Sequence, residues 1–269
     1  MSSTDNAVPT PARLSATVLM LRDGRDGMEV FMVVRHHAID FASGALVFPG
    51  GKLAAGDADA RVRSRCSGAE GLSAEQLGLR VGAIREAFEE CGMLLARASG
   101  QSGLIAHARL AELGARYRQP LDKGEIGIAE MLEREDLMLA CEELVPFAHW
   151  ITPTFMPKRF DTYFFLAPTP PEQVALHDGR EMVDSAWLRP ADALAEAAAG
   201  TRTIVPATLL NIEKLGRSAS VAAALAAARG SPVVRVLPEL EQGGEGLLLR
   251  IPAEAGYGVT EFTMPKDFK

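Results

Sequence analysis

The segment Ile84-Arg85-Glu86-Ala87-Phe88-Glu89-Glu90-Cys91-Gly92-Met93 concentrates the residue types that do acid–base and metal chemistry. Wound at about 100° per residue, Ile84, Phe88, Cys91 and Leu95 fall within about 60° of one another and make an apolar stripe. Glu86, Glu89 and Glu90 cluster on the other side, within about 100° of arc. Arg85 stands four residues before Glu89, the spacing at which it braces that carboxylate. Three carboxylates on one turn repel, and the penalty grows as the surrounding dielectric falls. A hard cation that prefers oxygen ligands, such as Mg2+, removes it. The same pattern also fits a solvated helix face, because Glu is a good helix former. The upstream Phe48-Pro49-Gly50-Gly51 favours the site. Paired glycines let backbone approach a ligand closely, as a metal–phosphate site requires.

Several elements must position these groups. Leu14–Arg22 and Met28–Arg35 are apolar runs separated by Asp23-Gly24 and Asp26-Gly27, which reads as two strands around a turn. Ala45–Phe48 is a third strand running into the glycine loop. Residues 58–72 read as loop with room for a helical turn. Ser73 with Gln76 forms a capping box, so the carboxylate helix is expected from Glu75 to roughly Ala98. Leu104–Glu143 reads as two or three helices and a loop. Val145–Thr152, Arg159–Ala167 and Glu181–Leu188 are strand-like, and Pro190–Ala199 is an Ala-rich helix. Helices over Pro206–Leu215 and Ser218–Arg229 and short strands over Val233–Leu237 and Gly246–Ile251 complete the reading. Strands interleaved with helices, partly as hairpins, predict an α+β or mixed-sheet α/β sandwich.

Composition bounds the partners. The 269 residues are 48% hydrophobic and 23% charged, with 28 Lys and Arg against 35 Asp and Glu, a net charge of −7. That is an ordinary globular chain, and its acidity argues against binding along a nucleic-acid backbone. A small phosphorylated substrate stays compatible, because a metal bridges carboxylates to phosphates. Three scattered cysteines, Cys66, Cys91 and Cys141, with no CxxC pair, suggest neither zinc nor a disulfide framework, and cytoplasmic localisation is the default expectation. Residues 1–12 read as a flexible arm, not a signal peptide, and no long apolar run predicts a membrane span.

Together, Gly51, Asp57, Arg85, Glu86, Glu89, Glu90, Gly92 and Met93 resemble the Nudix hydrolase box. That box runs Gly, five residues, Glu, seven residues, then Arg-Glu-aliphatic-any-Glu-Glu-any-Gly-aliphatic. Here its first Glu falls on Asp57, one methylene shorter, and Ala87 fills the first aliphatic position. The spacer between Asp57 and Arg85 holds 27 residues (58 to 84), so a loop must bulge out without displacing the helix. Long surface insertions cost little closure entropy. The long spacer and the lead-in Arg35…Phe41-Ala42-Ser43-Gly44-Ala45-Leu46-Val47-Phe48-Pro49-Gly50-Gly51 resemble the coenzyme A diphosphatase branch. So do Trp150-Ile151-Thr152-Pro153 and Arg159-Phe160-Asp161-Thr162.

The resemblance implies an α/β fold, a Nudix-type α/β/α sandwich over residues 13–200 with a helical insertion at about 97–143. Residues 201–269 would then be a C-terminal extension, packed on the domain or forming part of a homodimer interface. It implies Mg2+ or Mn2+ held by Glu86, Glu89 and Glu90, with a carbonyl from Gly51, and Arg85 bracing the carboxylates. The general base would be Glu90 or Glu86 through a metal-bound water, or Glu181. Arg35, Lys52, Lys158 and Arg159 are candidates for phosphate contact, since Arg presents a bidentate fork. His36 and His37 are adjacent, so in extended chain at most one faces a site. The implied reaction cleaves the pyrophosphate of coenzyme A or acyl-CoA to 3′,5′-ADP and (acyl)phosphopantetheine. Other readings are ADP-ribose, NADH or dinucleoside polyphosphate cleavage, or a non-catalytic nucleotide-sensing module.

Overall fold

The computed structural model describes residues 10–35, 44–169, 182–241 and 247–264. The strands are β1 (Arg13–Gly24), β2 (Gly27–Arg35), β3 (Leu46–Val47), β4 (Gly50–Lys52), β5 (Cys66–Ser67), β6 (Ala96–Ala98), β7 (Leu137–Ala140), β8 (Val145–Ile151), β9 (Phe160–Pro168), β10 (Met182–Leu188), β11 (Arg235–Val236), β12 (Glu239–Glu241), β13 (Leu247–Arg250) and β14 (Glu261–Met264). The helices are α1 (Ala60–Arg63), α2 (Ala74–Cys91), α3 (His107–Asp122), α4 (Ile128–Arg134), α5 (Pro190–Ala198), α6 (Pro206–Leu215) and α7 (Val221–Arg229).

The main sheet is mixed, in the order β10-β2-β1-β9-β8-β11, with β3 on β2 and β4 on β1. Its axis is the parallel pair β1 and β9, in register from Arg13 opposite Phe160 to Leu21 opposite Pro168. Alternation along β1 divides the interior in two, because successive side chains leave opposite faces of a strand. Ala16, Val18 and Met20 pack with Ile84, Phe88 and Cys91 of α2. Leu19 and Leu21 pack with Leu210, Ile212 and Leu215 of α6 and Val221 of α7. Helices on both faces of a mixed sheet make this the expected α/β/α sandwich, and the helices after residue 200 supply part of the second layer.

The capping box at Ser73 forms in both directions, Gln76 N donating to Ser73 Oγ at 3.1 Å and Ser73 N to Gln76 Oε1 at 3.0 Å. The helix ends at Cys91, however, and does not continue to Ala98. Gly92 adopts the left-handed conformation at φ 69° and donates its N–H to Phe88 O at 2.9 Å, closing the last turn. Ala96–Ala98 instead becomes β6, paired with β7 in a small sheet β5-β7-β6. The spacer of the sequence motif is absorbed by α1 and β5 and by the first turns of α2, while Asp57 itself sits in a 3-10 turn at Ala55–Ala58. A third sheet, β12-β13-β14, follows α7, and its strands β12 and β14 have no counterpart in the sequence reading. Among the described residues no helix is long and apolar enough to cross a membrane.

Candidate active site

Helix α2 packs closely against the turn that precedes α1, and two glycines of the helix make that approach possible. Gly78 and Gly82 each cost α2 about 1 kcal/mol relative to Ala. They admit the turn before α1: a Cβ on Gly82 would stand 3.0 Å from Asp57 Oδ2, and one on Gly78 3.4 Å from Ala58 Cβ. Asp57 is thereby buried against the helix and receives Arg85 in a fork, Nε to Oδ1 at 2.8 Å and Nη2 to Oδ2 at 3.0 Å. Ala54 N also donates to Asp57 Oδ2 at 2.8 Å. Asp57 thus makes up its missing methylene by position and serves as an anchor for Arg85.

Arg85 distributes its remaining donors over the site. Nη1 reaches Glu86 Oε1 at 3.0 Å and Glu89 Oε2 at 2.9 Å, and Nη2 reaches the Lys52 carbonyl at 2.9 Å. Burial by itself would lower the Arg85 pKa, but Asp57, Glu86 and Glu89 outweigh it and hold the guanidinium firmly charged. The glycine loop closes the other side. Gly50 N donates to Glu90 Oε2 at 2.9 Å. A Cβ on Gly51 would fall 2.5 Å from Glu86 Cδ, and one on Gly50 2.5 Å from the Ala16 carbonyl. A Cβ on Gly50 would therefore force main chain to move, whereas one on Gly51 would displace only the end of the Glu86 side chain.

Glu89 and Glu90 are buried, which excludes the solvated-face reading of this turn. Burial pushes the Glu89 carboxyl up to about 8; the Arg85 charge pulls against that shift and the Glu86 charge adds to it. Its Oε1 is buried without any hydrogen-bond partner. Such an orphaned acceptor is costly unless a donor or cation meets it. Among the described residues no three His, Cys, Asp or Glu side chains already converge as a ready-made metal cluster, and Arg85 Nη1 stands between Glu86 and Glu89. The donor set is nonetheless all carboxylate oxygen, which suits Mg2+ or Mn2+, and Glu89 Oε1 is the orphaned atom such an ion would satisfy.

These groups form one wall of a cavity of about 770 Å³. Gly50, Gly51, Trp150, the first turn of α6 and residues of β13 and β14 line it as well. Arg35, Lys52 and Lys158 also line it, and the Nε of Arg35 is buried without a partner. Arg159 does not join them. It is buried and donates to the Thr152 carbonyl at 3.0 Å and the Thr10 carbonyl at 2.7 Å, tying the start of β1 to the turn before β9. Glu181, His36, His37 and the lead-in Phe41-Ala42-Ser43 lie outside the described residues.

Several cavity or support residues carry no signal in the sequence. Arg118 of α3 donates from Nε and Nη2 to the Glu89 carbonyl at 3.2 and 3.0 Å, pinning the inserted helix to the end of α2. Leu249, Phe262 and Met264 reach the cavity from the C-terminal sheet. An Arg in a polar helix and apolar residues in short strands read as ordinary surface and core until the chain is folded.

A glycine loop on a strand edge, facing an Arg-Glu-x-x-Glu-Glu helix across a mixed sheet, defines a Nudix-type architecture. The model of the family described as the NUDT19 Nudix domain matches residues 62–215, more than half of the chain, and the chain belongs to this family. It is similar to nudix hydrolase 7 of Caenorhabditis elegans, 26% identical over 190 residues, covering 70% of this chain. The chain spans 56% of the length of that relative. A solved NUDIX hydrolase from Alicyclobacillus acidocaldarius superposes with a TM-score of 0.68 at 26% identity, over 81% of this chain and 96% of the other.

Proposed function

We propose that this protein is a divalent-cation-dependent hydrolase that cleaves the pyrophosphate of a nucleoside diphosphate linked to another group. The favoured substrate is coenzyme A or acyl-CoA, yielding 3′,5′-ADP and (acyl)phosphopantetheine. The observation that carries the reading is the buried, unpartnered Glu89 Oε1 beside Glu86, Glu90 and the Gly50-Gly51 loop, in the wall of a cavity large enough for a nucleotide. Family membership supports it.

Glu86, Glu89 and Glu90 would hold Mg2+ or Mn2+, with the Gly51 carbonyl as a further oxygen ligand. Such an ion neutralises the diphosphate and acidifies a bound water. The protein's part is positioning and charge. Arg85 keeps Glu86 and Glu89 in place without repulsion, and Gly50 N–H fixes Glu90. Arg35, Lys52 and Lys158 supply positive charge along the cavity for phosphate oxygens, which is the main demand of phosphoryl transfer. Glu90 or Glu86 would orient the attacking water, with Glu181 as the other candidate base.

A mass-spectrometric product assay with Mg2+ on coenzyme A, ADP-ribose and NADH tests the proposal, with Glu89→Gln and Glu90→Gln beside wild type. The reading expects 3′,5′-ADP from coenzyme A and a loss of at least about two orders of magnitude in each variant, roughly 2.7 kcal/mol of barrier. Turnover of ADP-ribose or NADH alone would overturn the coenzyme A assignment and keep the diphosphatase one.

A further inference from the structure

We propose that Arg118, on the inserted helix α3, is a positioning residue for the divalent cation. It fixes the main chain of the carboxylate turn, so that Glu89 and Glu90 hold their oxygens in place for the ion. This rests on the cation-dependent diphosphatase reading above.

Glu89 and Glu90 stand in the last turn of α2, which ends at Cys91. The last turn of a helix frays, because its carbonyls have no helical amide ahead of them. The Glu89 carbonyl is one of these. Met93 N, four residues on and its usual partner, turns back to Ala87 O at 3.3 Å, and Gly92 N goes to Phe88 O at 2.9 Å. Arg118 supplies the donors from outside the helix, with Nε at 3.2 Å and Nη2 at 3.0 Å from Glu89 O. Two donors of a rigid planar fork on one oxygen fix a direction as well as a distance. The positive charge also suits the negative end of the α2 dipole. Gly92 leaves room for the guanidinium: a Cβ there would stand 3.3 Å from Arg118 Nη1.

Glu89 is thereby held at both ends. Arg85 Nη1 meets its Oε2 at 2.9 Å from the preceding turn of α2. Arg118 grips its carbonyl from the insertion. The buried, unpartnered Oε1 is the atom that the ion would take, and its place follows from those two contacts. A metal site needs its ligands oriented by outer partners, and losing such a partner costs about 10- to 100-fold in metal affinity or activity. Leu121 and Asp122 follow Arg118 by three and four residues, one turn further along the same face of α3, and both line the cavity. The inserted helix is therefore part of the active site.

The test is titration of the intact protein with Mn2+, free ion being counted by electron paramagnetic resonance and folding checked by thermal melts. Binding is thus read apart from turnover. Arg118→Ala is expected to weaken Mn2+ binding at least about ten-fold. Arg118→Lys keeps the charge but loses the fork; it is expected to lose at least about three-fold, and it carries the test if the alanine variant does not fold. Arg116→Ala is the control for a loosened insertion, since Arg116 lies on the same helix and pairs with Glu135. It is expected to keep Mn2+ affinity within about three-fold of wild type. Wild-type affinity in the Arg118 variants, or an equal loss in Arg116→Ala, would overturn the proposal. Wild type that binds no Mn2+ would overturn the cation-dependent reading and this proposal with it. The expected order of affinities without cleavage of coenzyme A would sink the substrate assignment alone and leave the role of Arg118 standing.

Discussion

Arg85 and Asp57, 28 residues apart, make a two-pronged ion pair at 2.8 and 3.0 Å with both side chains buried. Through it the turn before α1 is locked to the carboxylate turn of α2. A buried pair adds little over an apolar replacement, but removing one partner strands the other charge. Asp57→Ala is expected to lower unfolding stability by about 3–5 kcal/mol in urea titrations. Arg85→Lys should also weaken the site, because a single ammonium cannot serve Asp57, Glu86, Glu89 and the Lys52 carbonyl together.

The two loop glycines should fail in different ways. A Cβ on Gly50 meets main-chain atoms, the Ala16 carbonyl at 2.5 Å and Thr17 Cα at 2.6 Å, so β4 must shift away from β1. A Cβ on Gly51 meets only the end of the Glu86 side chain, which can swing aside. Gly50→Ala is expected to cost about 1–3 kcal/mol of stability or more. Gly51→Ala should keep its melting temperature and lose about two orders of magnitude in kcat, since misplacing one site group by about 1 Å has that effect. Thermal melts beside steady-state kinetics separate the two outcomes.

Glu89 sets a pH dependence. Burial raises its carboxyl from 4.5 to about 8, so the folded chain holds that proton more tightly than the unfolded chain. The stabilisation is complete below the unfolded value and is lost as pH climbs from about 4.5 through about 8. Cation affinity should run oppositely, rising with pH over that window, because a bound cation must displace the proton. Melts in EDTA and Mn2+ titrations at several pH values would show both slopes. Glu89→Gln is expected to flatten them.

Trp150 is held by a relay that spans the chain: its Nε1 donates to Tyr257 Oη at 2.6 Å, and Tyr257 Oη donates to Asn211 Oδ1 at 2.8 Å. Asn211 is fully buried, and its Nδ2 already lacks a partner. Tyr257→Phe would leave the indole N–H and the amide oxygen unmet as well, at a cost of about 1–3 kcal/mol for each unsatisfied group. The expected result is a lower melting temperature with a shifted tryptophan emission, read by fluorescence-monitored unfolding.

What could be read from the linear chain was local. The capping box at Ser73, the apolar stripe of Ile84, Phe88 and Cys91, and the Glu86, Glu89, Glu90 face follow from helical periodicity, which depends on near neighbours. The extent of the helix did not follow. Leu94, Leu95 and Ala96 are good helix formers, and it took the left-handed turn at Gly92 to stop the helix and the pairing of β6 with β7 to draw Ala96 into a sheet. Tertiary structure also decided which cations face the cavity. Arg35 and Lys158 do; Arg159, adjacent to Lys158, is consumed by carbonyls of Thr10 and Thr152. It also decided that Asp57 reaches Arg85 despite the long spacer, that Arg118 pins the Glu89 turn, and that Leu249, Phe262 and Met264 line the cavity. Each of these joins residues far apart in sequence through strands of two to four residues or single side chains. Segments so short carry too little periodicity to announce their partners, and only closing the sheets and packing the helices selects them.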